Sequence, residues 1–198
     1  MPFRIELGPP PNRSYSDVRS RPVFSDEDCE RTLAVLDDDR WTPAALVDHR
    51  EPGSGYQNER VRSAAVQTLP FDDSWPLRKL SLGIAELNAE GPRVDVESFE
   101  VADLPSVVRY EGGSNDHFRA HQDVGPSQST RKLTFVLQLS DPSDYRGGAL
   151  VFPEVGHSAE MTRGELVVFP SYLRHVVTPV LTGTRLALIG WVHGPAFR

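Results

Sequence analysis

Two rhythms of apolar and polar positions divide the chain. In the first, Cys29, Leu33 and Leu36 recur at helical spacing behind Ser25 and Asp28, a pair that predicts a capping-box helix start. The stretch "DSWPLRKLSLGIAELN" predicts a second helix, capped by Asp73 or Ser74, with Pro76 in its first turn and Gly91-Pro92 at its end. Leu77, Leu80, Ile84 and Leu87 form its apolar stripe. Between the helices, "VRSAAVQTL" (61–69) alternates as a strand does.

From about residue 97 the period shortens to two. "SVVRY" (106–110), "KLTFVLQLS" (132–140), "ALVF" (149–152), "ELVVF" (165–169) and "RLALIGWV" (185–192) predict short strands. Turn clusters such as "DPSDYRGG", "VGHS" and "TRG" separate them. Many short strands behind two helices give an α+β, mainly β class: a sandwich or distorted barrel braced by helices on one side. With no linker-like stretch to split the chain, residues 1–198 are expected to form one domain. It has a Pro-rich segment (1–20), helical support (21–96) and a β core (97–198).

Composition narrows the function classes. A net charge of −7 argues against a nucleic-acid partner, which normally meets a basic face. Cys29 is the only cysteine, so neither an internal disulfide nor a Cys-rich zinc site is available. No signal-peptide core and no apolar run of membrane-spanning length is present, and a soluble, cytoplasmic protein is expected.

The chemistry starts at "FRAHQDVGP" (118–126). In extended chain, His121 and Asp123 share a face and form the beginning of a metal site. Among the other histidines, His49 lies in the helical half, His157 in a turn and His193 past the last strand; His117 is not excluded by spacing. His175, entering a strand in "FPSYLRHVVTPV", is the best placed third ligand. If Leu181-Thr182-Gly183 forms a three-residue hairpin loop with Gly183 left-handed, His175 faces Ile189 and shares a sheet face with Arg185. An inward Arg185 needs an anion: Asp123, Glu111 or Glu165 in a structural ion pair, or the carboxylate of a ligand held by its planar fork. Two histidines and one carboxylate suit non-haem Fe(II) oxygenases and also zinc hydrolases. An arginine ten residues after the last histidine favours iron with a carboxylate co-substrate.

These residues resemble the Fe(II)- and 2-oxoglutarate-dependent dioxygenases, in particular their prolyl 4-hydroxylase-like branch. "RYEGGSNDHFRAHQD", "LQLSDPSDYRGGALVF" and "RGELVVFPSYLRHVVTPVLTGTRLALIGWVHGP" carry the likeness, over about residues 106–195. The resemblance implies a double-stranded β-helix (jelly-roll) core. It implies Fe(II) on His121, Asp123 and His175, and the distal carboxylate of 2-oxoglutarate on Arg185. It further implies co-substrate contacts from Tyr110 and Gln138, O₂ as oxidant and ascorbate as an accessory. The implied reaction decarboxylates 2-oxoglutarate to succinate and CO₂ while hydroxylating a substrate. Asp123 speaks for hydroxylation, because related halogenases replace this carboxylate with a small residue. Trp191 stands where nucleic-acid demethylases of the superfamily carry a second arginine. A peptide or amino acid and a small natural product remain rival substrates, and a cupin-like binding module is the rival without turnover. Arg109, Arg119, Arg131 and Lys132 are expected near the mouth, and "GSGYQNER" (53–60) has the composition of a lid.

Overall fold

The computed structural model describes residues 17–48, 55–69, 75–159 and 161–196. Asp73, Ser74, His49, most of the Pro-rich start and the first two residues of the expected lid lie outside that set. Helix α1 spans Asp26–Leu33, and Ser25 and Asp28 form the expected reciprocal capping box. Asp26, Glu27 and Asp28 place negative charge on its first turn, where the helix dipole favours it. Helix α2 spans Trp75–Glu90, with Leu80, Ile84 and Leu87 buried on one side.

The strands begin with β1 (Arg19–Pro22), β2 (Thr42–Pro43), β3 (Leu46–Val47), β4 (Gly55–Tyr56), β5 (Arg62–Ser63) and β6 (Ala65–Thr68). Next come β7 (Ser106–Glu111), β8 (His117–His121), β9 (Arg131–Gln138), β10 (Tyr145–Gly147) and β11 (Leu150–Phe152). The last four are β12 (His157–Ala159), β13 (Glu165–Pro170), β14 (His175–Val177) and β15 (Val180–His193). They build two facing antiparallel sheets. The larger runs β1-β13-β9-β15-β7-β6-β2, with β10 also paired to β15; the smaller runs β12-β11-β14-β8-β5. A separate ribbon pairs β3 with β4.

Strand β9 explains the layering. Every residue in it is buried, because each of its faces is covered. Leu133, Phe135 and Leu137 point outward into a core shared with Leu80, Ile84 and Leu87 of α2. Val136 points inward, where Val108, Tyr110, Phe169 and Ala187 of the large sheet meet Leu150, Phe152 and Val177 of the small one.

Several expectations change. The single strand over 61–69 is two: β5 pairs with β8 in the small sheet and β6 with β7 in the large one, the chain changing sheets at Ala64. The segment 21–96 is therefore more than helical support, since it adds strands to both sheets. The hairpin of 175–189 is absent. Strand β14 pairs with β11 and β8, whereas β15 pairs with β7, β9 and β10, so the two lie in opposite sheets. Thr178 and Pro179 make the crossing, held by Thr178 N–H to the Ala149 carbonyl (3.0 Å) and Gly148 N–H to the Pro179 carbonyl (3.0 Å). Gly183 is left-handed as expected, at φ 71°, but it admits β10 rather than closing a loop. A Cβ there would lie 1.9 Å from the Asp144 carbonyl oxygen. His157 opens β12 and is not in a turn.

Candidate active site

The two sheets meet over a cleft of about 450 Å³, a size that suits a small ligand. His121 ends β8 and His175 opens β14, and the two are direct cross-strand partners. This pairing brings their ring centroids to 4.1 Å. Asp123 lies past the strand end, its N–H donating to the Ser171 carbonyl at 2.9 Å. One ligand atom from each of His121, Asp123 and His175 falls within 4.8 Å of the others, brought there by the β8–β14 pairing rather than by the expected hairpin.

Hydrogen bonding fixes the tautomers. His121 Nδ1 lies 2.7 Å from the Arg119 carbonyl and His175 Nδ1 lies 3.0 Å from the Leu173 carbonyl. A carbonyl only accepts, so each Nδ1 carries a proton and Nε2 is the nitrogen left facing the site. Those Nε2 atoms are the ones 3.5 Å from Asp123 Oδ1 and Oδ2. The Thr134 hydroxyl donates to Asp123 Oδ2 at 2.8 Å. Burial, and then the neighbouring His175, push His121 down to about 3, which keeps the imidazole neutral. Burial works against charge on Asp123, but the two imidazoles and the Thr134 hydroxyl outweigh it and hold the carboxyl below its ordinary range.

Arg185 enters the cleft from β15 on the opposite wall and is 2% exposed. None of Asp123, Glu111 and Glu165 pairs with it, and among the described residues no carboxylate does. Its Nε donates to Gln138 Oε1 at 3.1 Å, and its Nη2 reaches the Met161 sulfur at 3.8 Å. The Gln138 amide nitrogen donates to the Ser140 carbonyl (3.0 Å) and the Tyr145 hydroxyl (3.1 Å). With both N–H groups engaged, Gln138 holds Arg185 from behind. Tyr110 lines the cleft beside it, its ring centre 5.7 Å from Arg185 Cζ, and burial raises its phenol.

Among the described residues, the other histidines lie elsewhere. His117 lies 3.0 Å from the Asn115 carbonyl, and His193 is bonded to Thr130 at 3.0 Å with Glu100 and Asp103 close by. Of the four basic residues expected at the mouth, Arg131 alone lines the cleft. Arg119 is exposed, Lys132 is buried away from it, and Arg109 lies over Trp41 on the outer side.

Arg131 does more than attract. Its Nε and Nη2 grip Asp103 at 2.7 Å each, its Nη1 donates to the Asp123 carbonyl at 3.2 Å, and its guanidinium lies 3.5 Å from the Trp191 ring centre. Sequence reading missed Thr134 and Asp103 as partners. Thr134 was within reach, since it shares a strand face with Gln138. Asp103 sits in a short 3-10 turn and carries no local signal. Arg62, also unforeseen, lines the cleft from β5.

The model of the 2OG-Fe(II) oxygenase superfamily matches residues 105–193. A PKHD-type hydroxylase of Shewanella sp. strain MR-7 is 30% identical over 175 residues, 86% of this chain and 75% of that relative. The chain belongs to the 2OG-Fe(II) oxygenase superfamily. Higher identity is more local. A PKHD-type hydroxylase of Crocosphaera subtropica is 41% identical over 83 residues, 39% of this chain and 37% of that one. The chain thus spans well under half of that relative's length in the match. Among solved structures, a Pseudomonas putida prolyl-4-hydroxylase superposes with a TM-score of 0.64 at 21% identity, covering 90% of this chain and 93% of that chain. A Trichoplax adhaerens prolyl hydroxylase superposes with a TM-score of 0.66 at 18% identity, covering 89% and 83%. These likenesses show the fold, a double-stranded β-helix of the prolyl 4-hydroxylase type.

Membership in this superfamily implies Fe(II), 2-oxoglutarate and O₂, and the residues present fit them. Two imidazoles and one carboxylate converge, a donor set suited to Fe(II) with coordination positions left open. A buried guanidinium without a carboxylate suits the far end of a dicarboxylate. Among the described residues no helix is long and apolar enough to cross a membrane.

Proposed function

We propose that the protein is an Fe(II)- and 2-oxoglutarate-dependent hydroxylase acting on an unactivated C–H bond of a peptidyl or free amino-acid-type substrate. In each turnover one oxygen atom of O₂ enters the substrate as hydroxyl and the other enters succinate, with release of CO₂. The observation that carries the reading is one cleft holding both the His121-Asp123-His175 cluster and Arg185, a buried cation without a carboxylate. Bound iron and 2-oxoglutarate supply the oxidising chemistry, and the protein supplies binding, orientation and exclusion of water.

His121, Asp123 and His175 would hold the metal, oriented by the Arg119 and Leu173 carbonyls and by Thr134. Arg185 would hold the far carboxylate of 2-oxoglutarate, with Gln138 fixing the plane of that guanidinium. Tyr110 contributes a phenol to the same chamber, while Val136, Leu150 and Ile189 wall it with apolar surface. The test follows succinate formed from 2-oxoglutarate in air with Fe(II) and ascorbate. Wild type should show slow turnover even without substrate. Arg185→Leu should keep its metal affinity and need far more 2-oxoglutarate. A wild-type protein that binds metal and 2-oxoglutarate but makes no succinate with any peptide or amino-acid pool is a binding module instead.

A further inference from the structure

The cleft holds one cation that the hydroxylase reading leaves without a task. Arg62 enters it from β5, directly across from Phe118 of β8. Its guanidinium carbon lies 4.7 Å from the Phe118 ring centre, and Phe118 in turn stacks on His121 at 3.4 Å. One nitrogen, Nη1, donates to the Ala45 carbonyl at 3.1 Å. The Nε is buried with no hydrogen-bond partner, and among the described residues no carboxylate pairs with this side chain. A guanidinium stripped of water on one side and left without an anion is costly, so its place in the cleft calls for a ligand.

Charge balance says the same. Arg131 is neutralised by Asp103. On the reading above, Arg185 is neutralised by the far carboxylate of 2-oxoglutarate. A divalent ion is neutralised by Asp123 together with the near carboxylate. One positive charge is then left in the chamber, and it is on Arg62. That charge also reaches Tyr110, where it opposes the rise that burial imposes on the phenol. Beside Arg62, Ala45, Val47 and Tyr56 offer a wall for an aliphatic or ring portion.

We propose that Arg62 anchors a carboxylate of the substrate, which makes the substrate a carboxylic acid: a free acid or amino acid, or a peptide presenting an acidic side chain. The inference rests on the hydroxylase reading and deepens it. An arginine that only packs on Phe118 would show no preference among ligands, and this separates the two roles.

The experiment uses the full chain loaded with Mn(II) and 2-oxoglutarate without oxygen, so that nothing turns over. Binding of matched probes is read by calorimetry: N-acetyl amino acids against their C-terminal amides, and short capped peptides with Glu against the same peptides with Gln. At least one acid should bind about tenfold tighter than its neutral partner, as expected for a charge-assisted hydrogen bond. The responding arm distinguishes a free acid from an acidic peptide. Arg62→Gln should reduce that acid to the affinity of its neutral partner while leaving 2-oxoglutarate affinity within about twofold. Arg62→Lys, a second variant in case the first folds poorly, should keep part of the preference as a point charge. Equal binding of every acid and its neutral partner, or a preference that survives Arg62→Gln, overturns the proposal. Failure of the Mn(II) protein to bind 2-oxoglutarate at all would instead remove the hydroxylase reading and this inference with it.

Discussion

The two faces of β9 are equally dry and chemically opposite. Outward, Leu133, Phe135 and Leu137 are 0% exposed and meet only apolar partners from α2 and the neighbouring strands. Inward, Thr134 and Gln138 are 3% and 0% exposed, and they bond to Asp123 and Arg185. Burial alone therefore does not make a core. The outer face gains stability from area removed from water, whereas the inner face must satisfy each polar atom it buries. On the inner face those partners are the side chains of the cleft.

The sharpest break of this comparison is Asp123→Ala. Metal binding and succinate formation should be lost while the metal-free protein melts near the wild-type temperature. At about a hundredfold excess over its dissociation constant, Mn(II) should stabilise wild type by about 2.7 kcal/mol and the variant by almost nothing. Equal metal-induced shifts in melting would remove Asp123 from the site.

Phe135→Ala does the reverse on the outer face. It should cost about 3–5 kcal/mol in denaturant unfolding through lost area and a cavity, yet leave Mn(II) affinity of the folded fraction unchanged. A smaller effect comes from Arg131→Leu, which releases the Asp123 carbonyl and leaves Asp103 without its cation. Metal affinity should fall about 10–100-fold, with a changed visible spectrum of the Co(II) form. An unaltered Co(II) spectrum would reduce Arg131 to a packing element under Trp191.

The smallest effect tests the support far from the cleft. Asp28 accepts from the Ser25 backbone at 2.8 Å and pairs with Lys79, tying α1 to α2. Burial opposes its charge, but Lys79 and Ser25 outweigh it and hold the carboxyl below its ordinary 3.8. Such a lowered carboxyl contributes stability that is fully present above the unfolded value and lost as pH falls through the folded one. Asp28→Ala should therefore cost about 1 kcal/mol at neutral pH, with the difference from wild type fading only in acid below that value. A gap that persists unchanged at the lowest pH at which both proteins fold would argue against the charge.

Local signals were legible, and choices between sheets were not. The Ser25-Asp28 box and the Leu80, Ile84, Leu87 stripe depend on neighbours within a turn or two, and both were readable. The nearness of His121 and Asp123 was readable from their spacing of two, whereas the hairpin used to place His175 beside them is absent. The hairpin failed for a definite reason. Alternation reports which face a residue takes, but not which sheet the next strand joins, and Pro179 turns the chain from one wall to the other. His175 and Arg185 consequently face each other across the cleft, rather than lying side by side. Arg62 was hidden the same way, because the strand over 61–69 changes sheets at Ala64.

The long final strand carries a consequence for how the protein comes into being. A growing chain carries His121, Asp123 and His175 once residue 175 is made, but not β15, which takes its place between β7 and β9. Strand β1, synthesised near the start, waits for β13, with Arg19 opposite Val168. Contacts of such sequence separation close slowly, over roughly milliseconds to seconds once the chain is free. Until β15 is in place, the large sheet lacks the strand that joins β7 to β9, and with it Arg185 on the far wall of the cleft.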